Sequence, residues 1–502
     1  MIIKQQRPLI YFLPFIMFVI AVCFLASLLF TIKEDVFFSG DAGLKFLMVK
    51  QIAKVGSFAT LHLESPSWVN KIWSQGFYPF KVPFVYDASQ GKIVSFPPAF
   101  QWLSSWLYKW FGWKGLYILP VISLTGLWFW FIMVMQRAGI KPFIISLGFF
   151  LLAFCSPLTF YGAVYWEHTT AILLMFSAVA FLITPQPSFF YSLLSGMLLG
   201  ISVWFRPEML LLWLFFITTV LIINKRKSNL TNVIFIASSL IGIITFFIFN
   251  AVTYSNILGA HSFQLSDPIG FIEYIRWKMV VLTHLNARDI IFFPLIILIY
   301  ALAIYNLLRK SLFPLLISQL TAIIILFSLI VPFALPNTGG KQWSARYLLP
   351  LVPLVITTCS LALNYIDINK IKKWGWIVLL PLVAYSLYIN VYLAHKTLQN
   401  DYAYRVKPGL DFINNETCEI LIVQNQYIAQ EFAALFEKKQ IFLVEDQQSF
   451  NKLQHLLKAR GVSKIIYMAH DPGFERLPYN LINYSSSLEK IGDYYVAEYD
   501  LK

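Results

Sequence analysis

Four short stretches of this sequence hold residue types able to do chemistry. The first is Ser39-Gly40-Asp41-Ala42-Gly43-Leu44-Lys45. A carboxylate fixed at Asp41 can take a proton from a hydroxyl or an amine. The same residue can instead cap a helix and pair with Lys45 one turn on. The second is Tyr165-Trp166-Glu167-His168-Thr169, an acid and a histidine at the mouth of an apolar run. Glu167 and His168 could orient a substrate, bind a metal together with Asp41, or simply face water within an aromatic belt. The third, Trp204-Phe205-Arg206-Pro207-Glu208, breaks the apolar stretch 189–223 at its middle. Arg206 there offers a planar fork to a phosphate, or pairs with Glu208 across a tight turn. The fourth runs from Asn337 to Pro350, and its Gly339-Gly340 pair permits close backbone approach. Lys341 and Arg346 in it point to an anionic ligand, with snorkelling to lipid phosphate as the alternative. His284 and Arg288 are weaker candidates of the same kind.

The elements that must position these residues are apolar helices. The chain has 502 residues, 58% hydrophobic and 13% charged, with mean hydropathy +0.66. Soluble chains are about 25% charged. An ordinary soluble enzyme, a disordered chain and a DNA-binding module are therefore excluded. Four scattered cysteines exclude a disulfide scaffold. About eleven runs are long enough to span a bilayer. They are residues 8–30, 115–135, 142–161, 163–183, 189–205, 209–223, 230–252, 290–308, 311–332, 348–366 and 374–394. The first run is too long for a signal-peptide core and lacks a small-residue cleavage site, so it reads as a retained helix.

Charge orients the spans. With the N-terminus inside, the inner loops collect Lys4, Arg7, Arg137, Lys141, Lys225, Arg226, Lys227, Arg309, Lys310, Lys370, Lys372 and Lys373, against the single acid Asp367. The net charge of +14 therefore belongs mostly to topology and not to nucleic acid. The other acids of residues 1–394, from Glu34 to Asp289 and including Asp267, fall on the outer face. Chemistry is expected there. A long first loop, 31–114, lies outside, and its segment after Asp41 reads as a helix lying in the membrane interface. Residues 253–289 and 333–347 read as outer loops. The outer tail, 395–502, has the composition of a soluble domain. Strands expected at 420–423, 440–444 and 463–468 alternate with helices at 427–438 and 449–460, a small α/β unit. The fold class is thus an α-helical polytopic membrane protein, N-in and C-out, with an α/β domain at its end.

In layout, residues 1–394 resemble the GT-C superfamily of integral-membrane glycosyltransferases, which includes protein mannosyltransferases and the aminoarabinose transferases of lipid A. Gly40-Asp41, Glu167-His168, Arg206-Pro207-Glu208 and Arg346-Tyr347-Leu348-Leu349-Pro350 carry the likeness. It implies transfer of a hexosyl or pentosyl group from a polyprenyl-phosphate donor to a lipid, glycan or protein acceptor, most simply with inversion. It further implies Asp41 as general base and Arg206, Lys341 and Arg346 as phosphate ligands. Glu167, His168 and Glu64 would position acceptor or sugar. The expected setting is a bacterial cytoplasmic membrane, with the active site facing the exterior. Where such families often carry two adjacent acids, Ala42 follows Asp41 here, so a divalent metal held by Asp41 and Glu167 stays open. A flippase or transporter of lipid-linked sugars, an O-antigen ligase or polymerase, and a structural membrane protein are the rival readings.

Overall fold

The computed structural model describes residues 9–56, 60–89, 91–183, 188–223, 230–259, 270–308, 314–335, 337–365, 373–470 and 485–501. Of the charges that orient the chain, Lys4, Arg7, Lys225, Arg226, Lys227, Arg309, Lys310, Asp367, Lys370 and Lys372 lie outside the described residues, as does Asp267. By contacts the chain forms two compact units, Met1–Leu29 with Tyr117–His395, and Phe30–Leu116 with Lys396–Lys502. The sequence groups the first loop with the membrane part; the contacts join it to the tail.

The first unit is built of apolar helices. Phe12–Leu29, Trp113–Arg137, Leu230–Tyr254 and Leu315–Ala334 are each long and apolar enough to cross a membrane. Ile272–Phe292 and Pro294–Asn306 make a fifth crossing if they act as one span, bent by 106°. Pro142–Phe154, His168–Leu182, Phe189–Phe205, Met209–Thr219 and Leu351–Tyr365 are shorter apolar helices. Length and composition thus give four or five spans among the described residues. Several sequence-derived runs are helices too short to count, and one is broken by polar residues. The run 142–161 stops at Cys155-Ser156-Pro157 and restarts as Leu158–Gly162, and the next helix begins only at His168. Residues 271–289, expected within an outer loop, belong to the helix Phe271–Phe292. Its Glu273, Arg276, Lys278, Arg288 and Asp289 interrupt the apolar pattern by which a span is recognised in sequence. Neighbouring segments satisfy two of its polar groups: Asn286 Nδ2 donates to the Ser328 carbonyl at 3.1 Å, and Lys278 Nζ to that of Leu335.

The second unit combines both outer segments. Its first-loop part contributes the helices Gly40–Val55, Ser67–Ile72 and Ala99–Phe111, and a hairpin of β1 (Val85–Ala88) and β2 (Gly91–Val94). The tail contributes β3 (Ile420–Val423), β4 (Gln440–Leu443), β5 (Lys464–Ala469), β6 (Ser485–Ile491) and β7 (Tyr494–Asp500). They form one sheet in the order β4-β3-β5-β7-β6. The β4-β3-β5 part is parallel, with Leu421 opposite Ile441 on one side and Ile466 on the other. Every residue of β3 is buried, as expected of a strand covered on both faces. The strand β7 pairs antiparallel with both β5 and β6. Asn425 caps the helix Gln426–Glu431, and Asp446 caps Gln447–Lys458 by accepting from Ser449 N at 2.7 Å.

The Gly40–Val55 helix differs from its expected setting. Its residues from Ala42 to Val49 are buried, and Lys45 is 3% exposed with Nζ 4.7 Å from the Phe96 ring centre. Lys50 pairs with Glu437 of the tail. A Cβ on Gly43 would fall 1.8 Å from the Gln430 carbonyl oxygen, so glycine lets this helix touch the tail's backbone. The apolar side read as lipid-facing is a protein–protein contact within this unit.

Candidate functional site

Three chain breaks in the first unit bring its charged residues together. The helix Phe189–Phe205 ends at Arg206, which adopts extended backbone (φ −141°, ψ 107°), and Pro207 prevents the helix from running on. Trp204 fixes that end by donating from Nε1 to the Gly242 carbonyl at 2.9 Å. The second break precedes the helix His168–Ile183 and holds Trp166 and Glu167. The third is the loop from Asn337 into the turn Arg346–Leu348.

Arg206 sits between two buried carboxylates. Its Nη1 donates to Glu167 Oε1 at 3.0 Å, and its Nε and Nη2 lie 2.7 and 2.6 Å from Glu208 Oε1. The side chains of Glu167 and Glu208 are 4% and 6% exposed. The sequence offered Arg206 either to a phosphate or to Glu208; the structure shows the pairing with Glu208 and adds Glu167. Ion pairs so removed from water are strong, and costly to break.

Arg346 occupies an aromatic slot. Its guanidinium carbon lies 5.6 Å from the Trp166 ring centre and 5.3 Å from that of Tyr347. Arg206 lies 5.2 Å from the same Tyr347 ring, so both guanidinium groups pack near one tyrosine. Gln342 sets the loop: its Oε1 accepts from Arg346 N at 3.1 Å, and its Nε2 donates to the Thr338 carbonyl at 2.7 Å. Gly339 has φ +86°, and a Cβ there would lie 2.9 Å from the Tyr347 ring and 3.2 Å from Arg346 Nε. A side chain would displace the cation it packs against. Arg288 reaches the same loop, donating to the Gln342 carbonyl. Lys341 is exposed.

His168 is 3% exposed, flanked by Tyr161 at 5.0 Å and Trp166 at 5.3 Å between ring centres. The structure therefore groups Glu167, His168, Arg206 and Arg346, all singled out from sequence, with Glu208 and Arg288. Tyr161 and Tyr347 were missed. Aromatic residues are so common here that neither stands out, although Tyr347 adjoins Arg346. In this set the guanidinium groups of Arg206, Arg288 and Arg346 outnumber the carboxylates of Glu167 and Glu208. A site of that balance favours an anion.

The remaining sequence-derived residues belong to the second unit. Asp41 lies in the first turn of the Gly40–Val55 helix and is partly buried. Glu64 is largely exposed and pairs with Lys54 at 2.6 Å. This unit also holds a buried network that the sequence did not reveal. Arg405 bridges Asp401 at 2.9 Å and Glu431 at 2.6 Å. Glu431 Oε2 accepts from the Tyr494 hydroxyl at 2.7 Å and lies 3.1 Å from His470 Nε2. Burial alone would raise the Glu431 pKa, but Arg405 and His470 hold it well below the usual carboxylate range.

Among the described residues no three His, Cys, Asp or Glu side chains are placed to share an ion, and Glu167 is committed to Arg206.

No family model matches the sequence, and no curated protein matches it significantly. Solved structures do match. ArnT from Cupriavidus metallidurans in the apo state superposes with a TM-score of 0.56 at 12% identity, over 96% of this chain and 97% of that one. The same protein bound to undecaprenyl phosphate gives 0.54, with the same identity and coverage. The apo oligosaccharyltransferase of Archaeoglobus fulgidus gives 0.46 at 10% identity, over 91% of this chain and 69% of that one. The fold is that of ArnT along nearly the whole of both chains.

Proposed function

We propose that this chain is a GT-C membrane glycosyltransferase. It moves a sugar from a polyprenyl-phosphate donor to a cell-envelope acceptor at the outer face of the cytoplasmic membrane. The observation that carries the reading is Arg346, held between Trp166 and Tyr347 beside the Glu167–Arg206–Glu208 cluster. A fixed guanidinium in an aromatic slot suits a lipid phosphate. ArnT, whose fold this chain shares, has been solved with undecaprenyl phosphate bound.

In this reading the acceptor's oxygen or nitrogen attacks the anomeric carbon as the bond to the carrier phosphate breaks, with inversion. The proton passes to Asp41, and the carrier leaves as polyprenyl phosphate. Arg346, with Lys341, stabilises the charge that develops on the departing phosphate. Arg206 holds Glu167 and Glu208 in place beside the phosphate. Glu167, His168 and Glu64 position sugar or acceptor. The chain crosses the membrane about eleven times, N-terminus inside and tail outside.

The test is transfer from an undecaprenyl-phosphate sugar by the purified chain, with mass spectrometry of envelope glycans and lipids from cells with and without it. Asp41→Asn should reduce transfer by about 10²–10⁴-fold while the fold persists. Full activity in that variant would remove Asp41 from the mechanism. Unchanged envelope chemistry, with sugar-lipid moved intact across vesicles, would favour a flippase instead.

A further inference from the structure

We propose that the helix Ala99–Phe111 lies along the membrane surface, with a stripe of tryptophans docked into the lipid headgroup layer. Much of this helix is reversed relative to one that meets water. Trp102, Trp106 and Trp110 are 46%, 52% and 70% exposed, while Gln101, Ser104 and Ser105 are buried alongside Phe100. A helix against water buries its apolar face and exposes its polar one. The tryptophans recur every four residues, so they share one face and run about 12 Å along it. The inner side is held by protein: Tyr108 meets Phe46 of the Gly40–Val55 helix edge to face, with ring centres 5.8 Å apart.

What covers the stripe follows from the chain. Gly112 (φ +58°) is the one residue between this helix and Trp113–Arg137, which is long and apolar enough to cross a membrane. A Cβ on Gly115 would fall 2.2 Å from the Leu107 carbonyl oxygen, so the first turn of the span touches the last turns of the helix. The stripe therefore sits where a span enters the bilayer. Tryptophan suits that depth, its ring body apolar and its indole N–H polar. Lys109 and Lys114, both exposed, place cations beside it for lipid phosphates. A second copy on the stripe would bring those like charges together instead. The interfacial setting expected of Gly40–Val55 thus falls to the helix packed against it. Lipid contact here holds whether or not the chain transfers a sugar.

Spin-label accessibility on the full chain, in nanodiscs of phosphatidylethanolamine and phosphatidylglycerol, tests it. The exposed Cys23 is replaced by serine; Cys155, Cys359 and Cys418 are buried. Labels go singly at Trp102→Cys, Trp106→Cys and Trp110→Cys, with Arg460→Cys on the tail's surface as the aqueous reference. We expect all three stripe labels to collide with membrane-dissolved oxygen and to be shielded severalfold from a water-soluble nickel chelate, and the Arg460 label to show the reverse. One variant that fails to fold leaves the other two to decide. Chelate access at the stripe equal to that at Arg460 would overturn the proposal. So would shielding of Trp110→Cys alone, which would stand the helix off the membrane. Shielding from both probes, with spin–spin broadening relieved by unlabelled chain, would overturn it too and put a second copy on the stripe.

Discussion

Arg206 is the residue on which the first unit's polar centre depends. Removing it leaves Glu167 and Glu208 buried with no cation between them, and breaking a buried pair in this way costs about 3–5 kcal/mol. Arg206→Ala should therefore lower the unfolding midpoint of the purified chain sharply. Arg206→Lys should recover little, because one ammonium cannot replace a fork that spans two carboxylates. Removing the charges together, as Glu167→Gln with Arg206→Met and Glu208→Gln, should restore most of the midpoint and none of the transfer. Arg346→Ala is expected to behave in the opposite way. It should cost about 10²–10³-fold in rate and shift the midpoint less than Arg206→Ala does, since Arg346 packs on the rings of Trp166 and Tyr347. Charged residues of this kind were legible in sequence because an acid or an arginine inside an apolar run stands out. Tyr161 and Tyr347 were not, and neither was the set Arg405, Glu431, His470 and Tyr494. Its members are scattered through a tail of ordinary soluble composition, and only the sheet brings them together.

At the scale of elements, the Gly40–Val55 helix shows how far a pattern reaches. Leu44, Leu47 and Ile52 make an apolar side whether that side meets lipid or protein. The sequence therefore located the helix and misassigned what covers it. The signal that was available is Gly40 and Gly43, spaced to let a backbone approach, which Gln430 makes. Gly43→Val should force this helix off the tail, costing about 1–3 kcal/mol in the second unit, and show as faster proteolysis of the loop. The Arg405–Glu431 network ties the helical turn Asn400–Val406 to the helix Gln426–Glu431 and to β7. Glu431 ionises more readily folded than unfolded, where its pKa is about 4.3. Its stabilisation is therefore present above that value and is lost as pH falls through the depressed folded value. Acid unfolding of the second unit, followed by tryptophan fluorescence, should move to higher pH in Arg405→Met. In Glu431→Gln the dependence below about pH 4.3 should flatten.

The whole molecule constrains its own topology. Residues Phe30–Leu116 and Lys396–Lys502 form one compact unit, so both segments must lie on one side of the membrane. The helices between them must then cross an even number of times. That condition bears on the break at Arg206, where the sequence alone permits two readings. Counted on the eleven runs of the sequence, Phe189–Phe205 and Met209–Ile223 as two separate crossings make the spans after the first loop even in number and put the basic inner loops on one side. With the pair as one broken span the number is odd, and the tail would be parted from the loop it packs against. We therefore expect residues 188 and 227 on the same, inner side and Ser74 on the outer. The measurement is labelling by a membrane-impermeant maleimide of single cysteines, Ser188→Cys, Lys227→Cys and Ser74→Cys, in a chain whose own four cysteines are replaced by serine. Ser74→Cys should react in intact cells, and the other two only after permeabilisation. Reaction of Ser188→Cys or Lys227→Cys from outside would place the Arg206 break within the membrane. The polar centre around Arg206 and Arg346 would then lose the outer-face position on which its role in transfer depends.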